Sequence, residues 1–278
     1  MSLTASEQRV LNSILEWEEK LYSYEPNDFM LTYDKYLERS FSMLPEEIQQ
    51  QFFASLDNWL FHLHALIQGS QLQLDAKERI LSAGRIYNPN IEKVEDLRLL
   101  TIDQLQYIAQ QQISRHRIYS LAQGGLTGTG SAIMLGTDLP AMAVINLRAV
   151  QLIAMTYGFE VNTPYEMMNS LKVFHSALLP ARLQPAIWEE LKADLNSDEE
   201  ERYFYEGKED LTDVSWMNQP IQQVLKGLLI LLLRKKSIQG IPFASMAIGA
   251  GANYVLTAKV TDFAHKYYQL KYLNGKGE

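Results

Sequence analysis

Apolar residues recur along the chain at spacings of three and four, and no stretch alternates with the two-residue period of a half-buried strand closed by a hairpin turn. The pattern predicts an all-α protein. Thr4 with Glu7 forms a capping box, so a first helix runs to about Tyr24 with Val10, Leu11, Ile14, Leu15, Trp17 and Leu21 near one face. Further helices are expected over about 28–43 and 45–67. The second carries Phe52, Phe53, Trp59 and Phe61 on an apolar face wide enough to be buried on more than one side. A short helix between loops fits 68–90, where glycines and the Asn88-Pro89 step punctuate the chain. Thr101 with Gln104 opens a long helix that continues past Ile118 and ends near Gly136. Asp138 then caps a new helix, with Pro140 in its first turn, which stops at Gly158, a residue suited to a left-handed C-terminal conformation. Thr163, Pro164 and Glu166 open the next with another capping box, and Pro180 closes it. A helix over about 183–195 and an apolar segment within 214–236 follow. The final helix starts at Pro242 and turns amphipathic from Lys259 to Tyr272.

Two glycine-rich segments, about 120–158 and 238–272, organise the rest into one multi-helix globular domain. Gly124, Gly128, Ala132 and Gly136 recur at every fourth residue, and Ser245, Gly249 and Asn253 repeat that spacing with Ala247 and Gly251 beside them. On helices these become stripes free of large side chains, where a second backbone can approach, so the two segments are expected to touch. Each interior glycine costs a helix about 1 kcal/mol relative to alanine, which close packing or a bend must offset. Residues 118–137 and 237–258 contain no charge, long enough nominally for a membrane span. Glycine, serine, threonine and glutamine dilute both windows, so buried core helices are expected, with a hairpin entering a bilayer surface as the alternative. The expected organisation is an N-terminal helical part, 1–100, packed on a core of 101–278 with an acidic loop near 196–213.

Charge sharpens this picture in one place. The formal net charge of −8 is matched by the stretch Glu189–Asp213, where eleven carboxylates face Lys192, Arg202 and Lys208. The remainder is close to neutral and carries no basic stripe, so nucleic acid is not an expected partner. The absence of cysteine excludes disulfides and thiolate metal sites, and no basic region followed by an apolar run opens the chain, so a cytoplasmic protein is expected.

The inventory for catalysis is thin. No His-Glu-x-x-His or Gly-x-Ser-x-Gly occurs, and His116, His175 and His265 have no motif partner nearby in sequence. His62 and His64, two apart, point to different sides of a helix and do not pair on a metal. The run Gly124-Gly125-Leu126-Thr127-Gly128-Thr129-Gly130-Ser131 invites a phosphate-loop reading, but the lysine before Ser131 is missing and no strand precedes it, so close helix packing is the better account. No cofactor is expected. Asp138 and Arg148 stand alone in uncharged sequence, and burial would demand partners: each other, the Asn146 and Asn253 amides, or free backbone groups. They are the weak catalytic candidates, with a structural clasp preferred. Tyr254, Tyr267, Tyr268 and Tyr272, interleaved with Lys259, Lys266 and Lys271, fit either an interfacial face or a terminal helix half covered by the domain.

The ordered motifs Gly124-Gly125 with Thr127, Gly128 and Gly130, then Asp138-Leu139-Pro140, Arg148, Tyr157-Gly158, Pro242, and finally Gly249, Gly251 and Asn253, closely resemble the EcsC family over about 101–272. These bacterial proteins take their name from a member encoded beside the two components of an ABC transporter. The resemblance implies a non-enzymatic accessory protein, peripheral at the inner face of the cell membrane, with a membrane surface, lipid or ABC-transporter complex as partner. The alternatives are a small-ligand or lipid-binding module, or a hydrolase with a pocket near Asp138 and Arg148.

Overall fold

The computed structural model describes residues 3–25, 62, 64–127, 132–179, 181–195 and 242–276. Among these there are seven α-helices, one 3-10 helix and no strand, which is the all-α class. We label them α1 (Ala5–Tyr22), α2 (Gln71–Tyr87), the 3-10 turn (Val94–Leu99), α3 (Ile102–Thr127), α4 (Ala132–Thr156), α5 (Pro164–Leu178), α6 (Gln184–Leu195) and α7 (Pro242–Asn274). The helices expected over 28–43 and 45–67, the acidic loop and the 214–236 segment fall mostly or wholly outside the described residues.

Local chemistry sets most helix ends. Thr4 and Glu7 exchange side-chain bonds with each other's backbone N–H groups, closing the predicted capping box of α1. Thr101 and Gln104 do the same for α3. At α5 only half of the predicted box forms: the Glu166 amide donates to Thr163 Oγ1 at 3.3 Å, but the Glu166 carboxylate turns inward to Lys271 and Asn169. Gly158 adopts φ +83°, and the amides of Gly158 and Phe159 return to the carbonyls of Met155 and Ala154, a left-handed stop for α4.

α7 is the axis. Its 33 residues span about 50 Å at 1.5 Å per residue, and α1, α3, α4 and α5 all pack against it. From Val260 to Leu273 only Asp262 is fully exposed, because the surrounding helices leave α7 no solvent face. The amphipathic C-terminal helix expected from sequence is therefore a central one. Tyr267, Tyr268 and Tyr272 are buried, which removes the interfacial reading of that segment. Its lysines reach neighbouring helices: Lys259 donates to the Leu179 carbonyl, Lys266 to Ser13, and Lys271 to Glu166.

α3 runs antiparallel to α7, and the two glycine-rich segments do touch. The seam is polar and small. Ser120 Oγ donates to the Asn253 carbonyl at 2.7 Å, Thr257 Oγ1 donates to Ser120 Oγ at 2.7 Å, and Asn253 Nδ2 donates to Gln123 Oε1 at 2.8 Å. Farther along, the Arg117 guanidinium binds Thr261 Oγ1 and Asp262. Glycine is not what makes this approach possible at Gly125 or Gly251. A methyl group added at Gly125 would sit 3.9 Å from the Ala250 Cβ, an ordinary contact, and one at Gly251 would meet nothing within 4 Å. The four-residue stripe is not one stripe either, since α3 ends at Thr127 while Ala132 and Gly136 belong to α4.

On the other flank, α1 and α6 are fastened to α7 by a cluster of rings. Trp17 meets Trp188 edge to face at 4.8 Å, and Trp188 meets Phe263 at 5.4 Å. The Trp188 indole N–H donates to Glu18, whose charge Lys192 balances at 3.3 Å. One continuous apolar core runs from Val10 through Leu273.

Candidate functional site

α4 begins at Ala132, six residues before the predicted cap. Asp138 and Pro140 therefore lie inside the helix: Asp138 is not its cap, and Pro140 withholds an N–H from the Gly136 carbonyl. Asp138 and Arg148 stand ten residues apart on one helix, a rise of about 15 Å, too far for the expected clasp. Arg148 finds other partners on α2. Its Nε donates to Gln73 Oε1 at 3.1 Å and its Nη2 to the Leu72 carbonyl.

Beyond Arg148 lies a string of buried amides that sequence reading missed. The Gln73 side-chain amide donates to Gln151 Oε1 at 3.3 Å, and Gln68 donates to the same oxygen at 3.0 Å. Gln151 Nε2 donates in turn to Nδ1 of His64 at 2.9 Å. Donors and acceptors thus run head to tail from Arg148 to His64, an alignment in which each bond polarises the next. Burial holds His64 down to about 4, so it is neutral and available as the acceptor. The one signal in the sequence was the placement of glutamines at positions where apolar periodicity calls for a core residue.

His116 completes this corner on α3. It is 3 % exposed, and its Nδ1 donates to the Gln112 carbonyl at 2.9 Å, which leaves Nε2 with no partner among the described residues. Tyr119 stands edge to face with its ring at 5.7 Å.

A second set of polar side chains surrounds the lower half of α7. The Tyr157 hydroxyl and His265 Nε2 share a 2.8 Å hydrogen bond. Burial raises the phenol and lowers His265 to about 3, so both are neutral. Lys271 pairs with Glu166 and lies 4.5 Å from the Phe159 ring and 4.9 Å from that of Tyr165; Glu166 also accepts from Asn169, whose carbonyl oxygen accepts from Tyr267 at 2.7 Å.

The remaining motif residues are placed as follows. Gly124 is buried, Thr127 ends α3, Tyr157 and Asn253 are buried and hydrogen-bonded, Pro242 opens α7, and Gly249 and Gly251 lie in its first turns. Gly128 and Gly130 lie outside the described residues. No group of three or more histidine, aspartate and glutamate side chains gathers as for a metal among the described residues.

Fold and site together define an all-α protein wound round one central helix, with hydrogen-bonded polar seams between its interior helices. The chain belongs to the EcsC protein family, whose model matches residues 8–273. That match reaches well beyond the motifs at 101–272 and takes in α1, as the packing of Trp17 against Trp188 and Phe263 would lead one to expect. It is 24 % identical over 229 residues to the "Uncharacterized protein YdbA" of Bacillus subtilis (strain 168), covering 82 % of this chain and 79 % of that protein. No solved structure matches it.

Proposed function

We propose that this chain is a non-enzymatic accessory protein that works at the inner face of a cell membrane, beside a complex of the ABC-transporter type, and touches the bilayer through the glycine-rich ends of α3 and α7. The observation that supports the reading is the placement of exposed apolar side chains. Ile118 (61 % exposed) and Leu121 (45 %) on α3, and Tyr254 (40 %) and Val255 (66 %) on α7, lie at one level of the helix pair, where Ser120 bonds to Asn253 and Thr257. Both surrounding windows are free of charge. Apolar side chains and a tyrosine at the end of an uncharged helix pair suit shallow contact with an acyl boundary. No helix among the described residues is long and apolar enough to cross a membrane, and the proposal is one of surface contact.

Flotation with phosphatidylglycerol vesicles tests it. The parent should rise with the vesicles, whereas a chain carrying Ile118→Glu and Val255→Glu should stay behind, with unfolding unchanged because both positions are exposed. A parent that fails to float, or a variant that floats as well, would sink the proposal.

A further inference from the structure

The exposed face of α3 does not end at its apolar tip. Arg115, Ile118, Tyr119, Leu121 and Ala122 are all exposed, and their spacings of three and four make them neighbours along one side of the helix. Hydrogen bonds across the seam fix the level of α7 beside them: Ser120 bonds to Asn253 and Thr257, and one turn back Arg117 bonds to Thr261 and Asp262. Tyr254 and Val255 thus stand level with Ile118 and Leu121. Arg115 stands one to two turns behind, about 9 Å from Leu121 along the axis. The sequence round this tip carries charge of one sign. No carboxylate occurs from 104 to 137 or from 214 to 261, whereas those stretches hold Arg115, Arg117, Lys226, Arg234, Lys235, Lys236 and Lys259. In a chain of net charge −8, that separation makes these two stretches basic and the rest more acidic than the sum. Among their described cations, Arg117 is taken by Asp262 and Lys259 by the Leu179 carbonyl. Arg115 is exposed and makes no ion pair or hydrogen bond among the described residues.

We propose that the membrane this tip meets is an anionic one, and that Arg115 binds the phosphates of its headgroups while Ile118, Leu121 and Val255 rest at the acyl boundary. The inference rests on the membrane reading and adds the sign of the surface and the residue that reads it. A chain of net charge −8 is repelled by an anionic bilayer as a whole, so approach through the carboxylate-free helix ends is the orientation that attracts. Depth agrees with this. The polar layer between hydrocarbon and water is about 5–8 Å thick on each side, and an interfacial apolar face sinks about 5–10 Å into that boundary. With Leu121 at the hydrocarbon edge, a guanidinium about 9 Å back, on a stem that can lean forward, lies at phosphate level. Its planar fork of five N–H donors also matches phosphate oxygens better than an ammonium does. Tyr119, four residues on, and Tyr254 across the seam add rings of the kind that settle at this boundary.

Flotation of the full chain with phosphatidylcholine vesicles containing a rising fraction of phosphatidylglycerol is the test. The bound fraction should rise with the anionic lipid and fall as salt screens it. Arg115→Gln should weaken partition onto phosphatidylglycerol-rich vesicles by about fivefold, the share of one basic side chain at a charged surface, and leave partition onto pure phosphatidylcholine unchanged. Lys20→Gln removes the same charge from an exposed position on α1 and should change neither. Both variants should unfold with the parent, because neither side chain makes a hydrogen bond or ion pair among the described residues. Equal binding of the parent to neutral and anionic vesicles, or a loss in Arg115→Gln no larger than that in Lys20→Gln, would overturn the headgroup assignment and leave the membrane reading standing. A parent that binds no vesicle of any composition overturns both, and leaves this face to a protein partner.

Discussion

Lys271→Met isolates the contribution of the ion pair at the centre of the fold. The Lys271 and Glu166 side chains are only 6 % and 10 % exposed, so neither charge has water to fall back on. Methionine keeps the length and apolar stem of lysine but removes the charge, leaving the Glu166 carboxylate in the core with the Asn169 amide, at 3.2 Å, as its remaining side-chain donor. Breaking a buried pair from one side typically costs about 3–5 kcal/mol, and that range is expected here. Glu166→Gln should cost less. It leaves the lysine between the Phe159 and Tyr165 rings, and cation–π attraction in a desolvated setting is worth about 1–2 kcal/mol. The double variant should be more stable than the sum of its parts, since neither partner is then left as an uncompensated charge. Urea unfolding of the four proteins at one pH reads all three quantities. Equal losses for the two single variants, or strict additivity in the double, would refute the account of how this pair is held.

Gly158→Ala should lose about 2–3 kcal/mol by the same assay: a left-handed backbone costs alanine about 1–2 kcal/mol, and the new methyl would fall 2.4 Å from Arg98 Cγ, displacing a side chain whose Nε donates to the Gly158 carbonyl at 3.0 Å. If the variant unfolds with the parent, the left-handed stop is not a constraint. Acid should destabilise the protein early, because burial holds His175 near 4 and His265 near 3 in the folded state while both return to about 6.5 on unfolding. Above about pH 7.5 neither state binds these protons and stability is full; as pH falls, the unfolded chain takes them up and the folded one refuses, a loss of about 2 kcal/mol for each histidine by pH 5. A urea midpoint that stays level from pH 7.5 to 5 would contradict this.

What the sequence made legible was chemistry confined to a few neighbouring residues. Thr4 with Glu7, Thr101 with Gln104, Gly158 and Pro242 are read correctly because a cap or a left-handed turn is decided within one turn of helix. Thr163 with Glu166 shows where that locality ends. The same signature was present, but a buried lysine 105 residues away offered the carboxylate a better partner than the backbone N–H. Pro140 errs in the other direction. It fits a first turn on propensity, yet packing of α4 against α3 and α7 holds it inside a helix.

The polar interior was hidden for a related reason. Amphipathic reasoning assumes that a helix has one wet face, and α7 has almost none below Val260, so neither an interfacial face nor a half-covered terminal helix describes the segment that carries Tyr267, Tyr268 and Tyr272. Once that helix is central, its charged groups and His265 find partners on neighbours from distant parts of the chain: Glu166 for Lys271, Tyr157 for His265, Leu179 for Lys259. Arg148 follows the same rule only in part, since glutamine and a carbonyl satisfy its hydrogen bonds but not its charge.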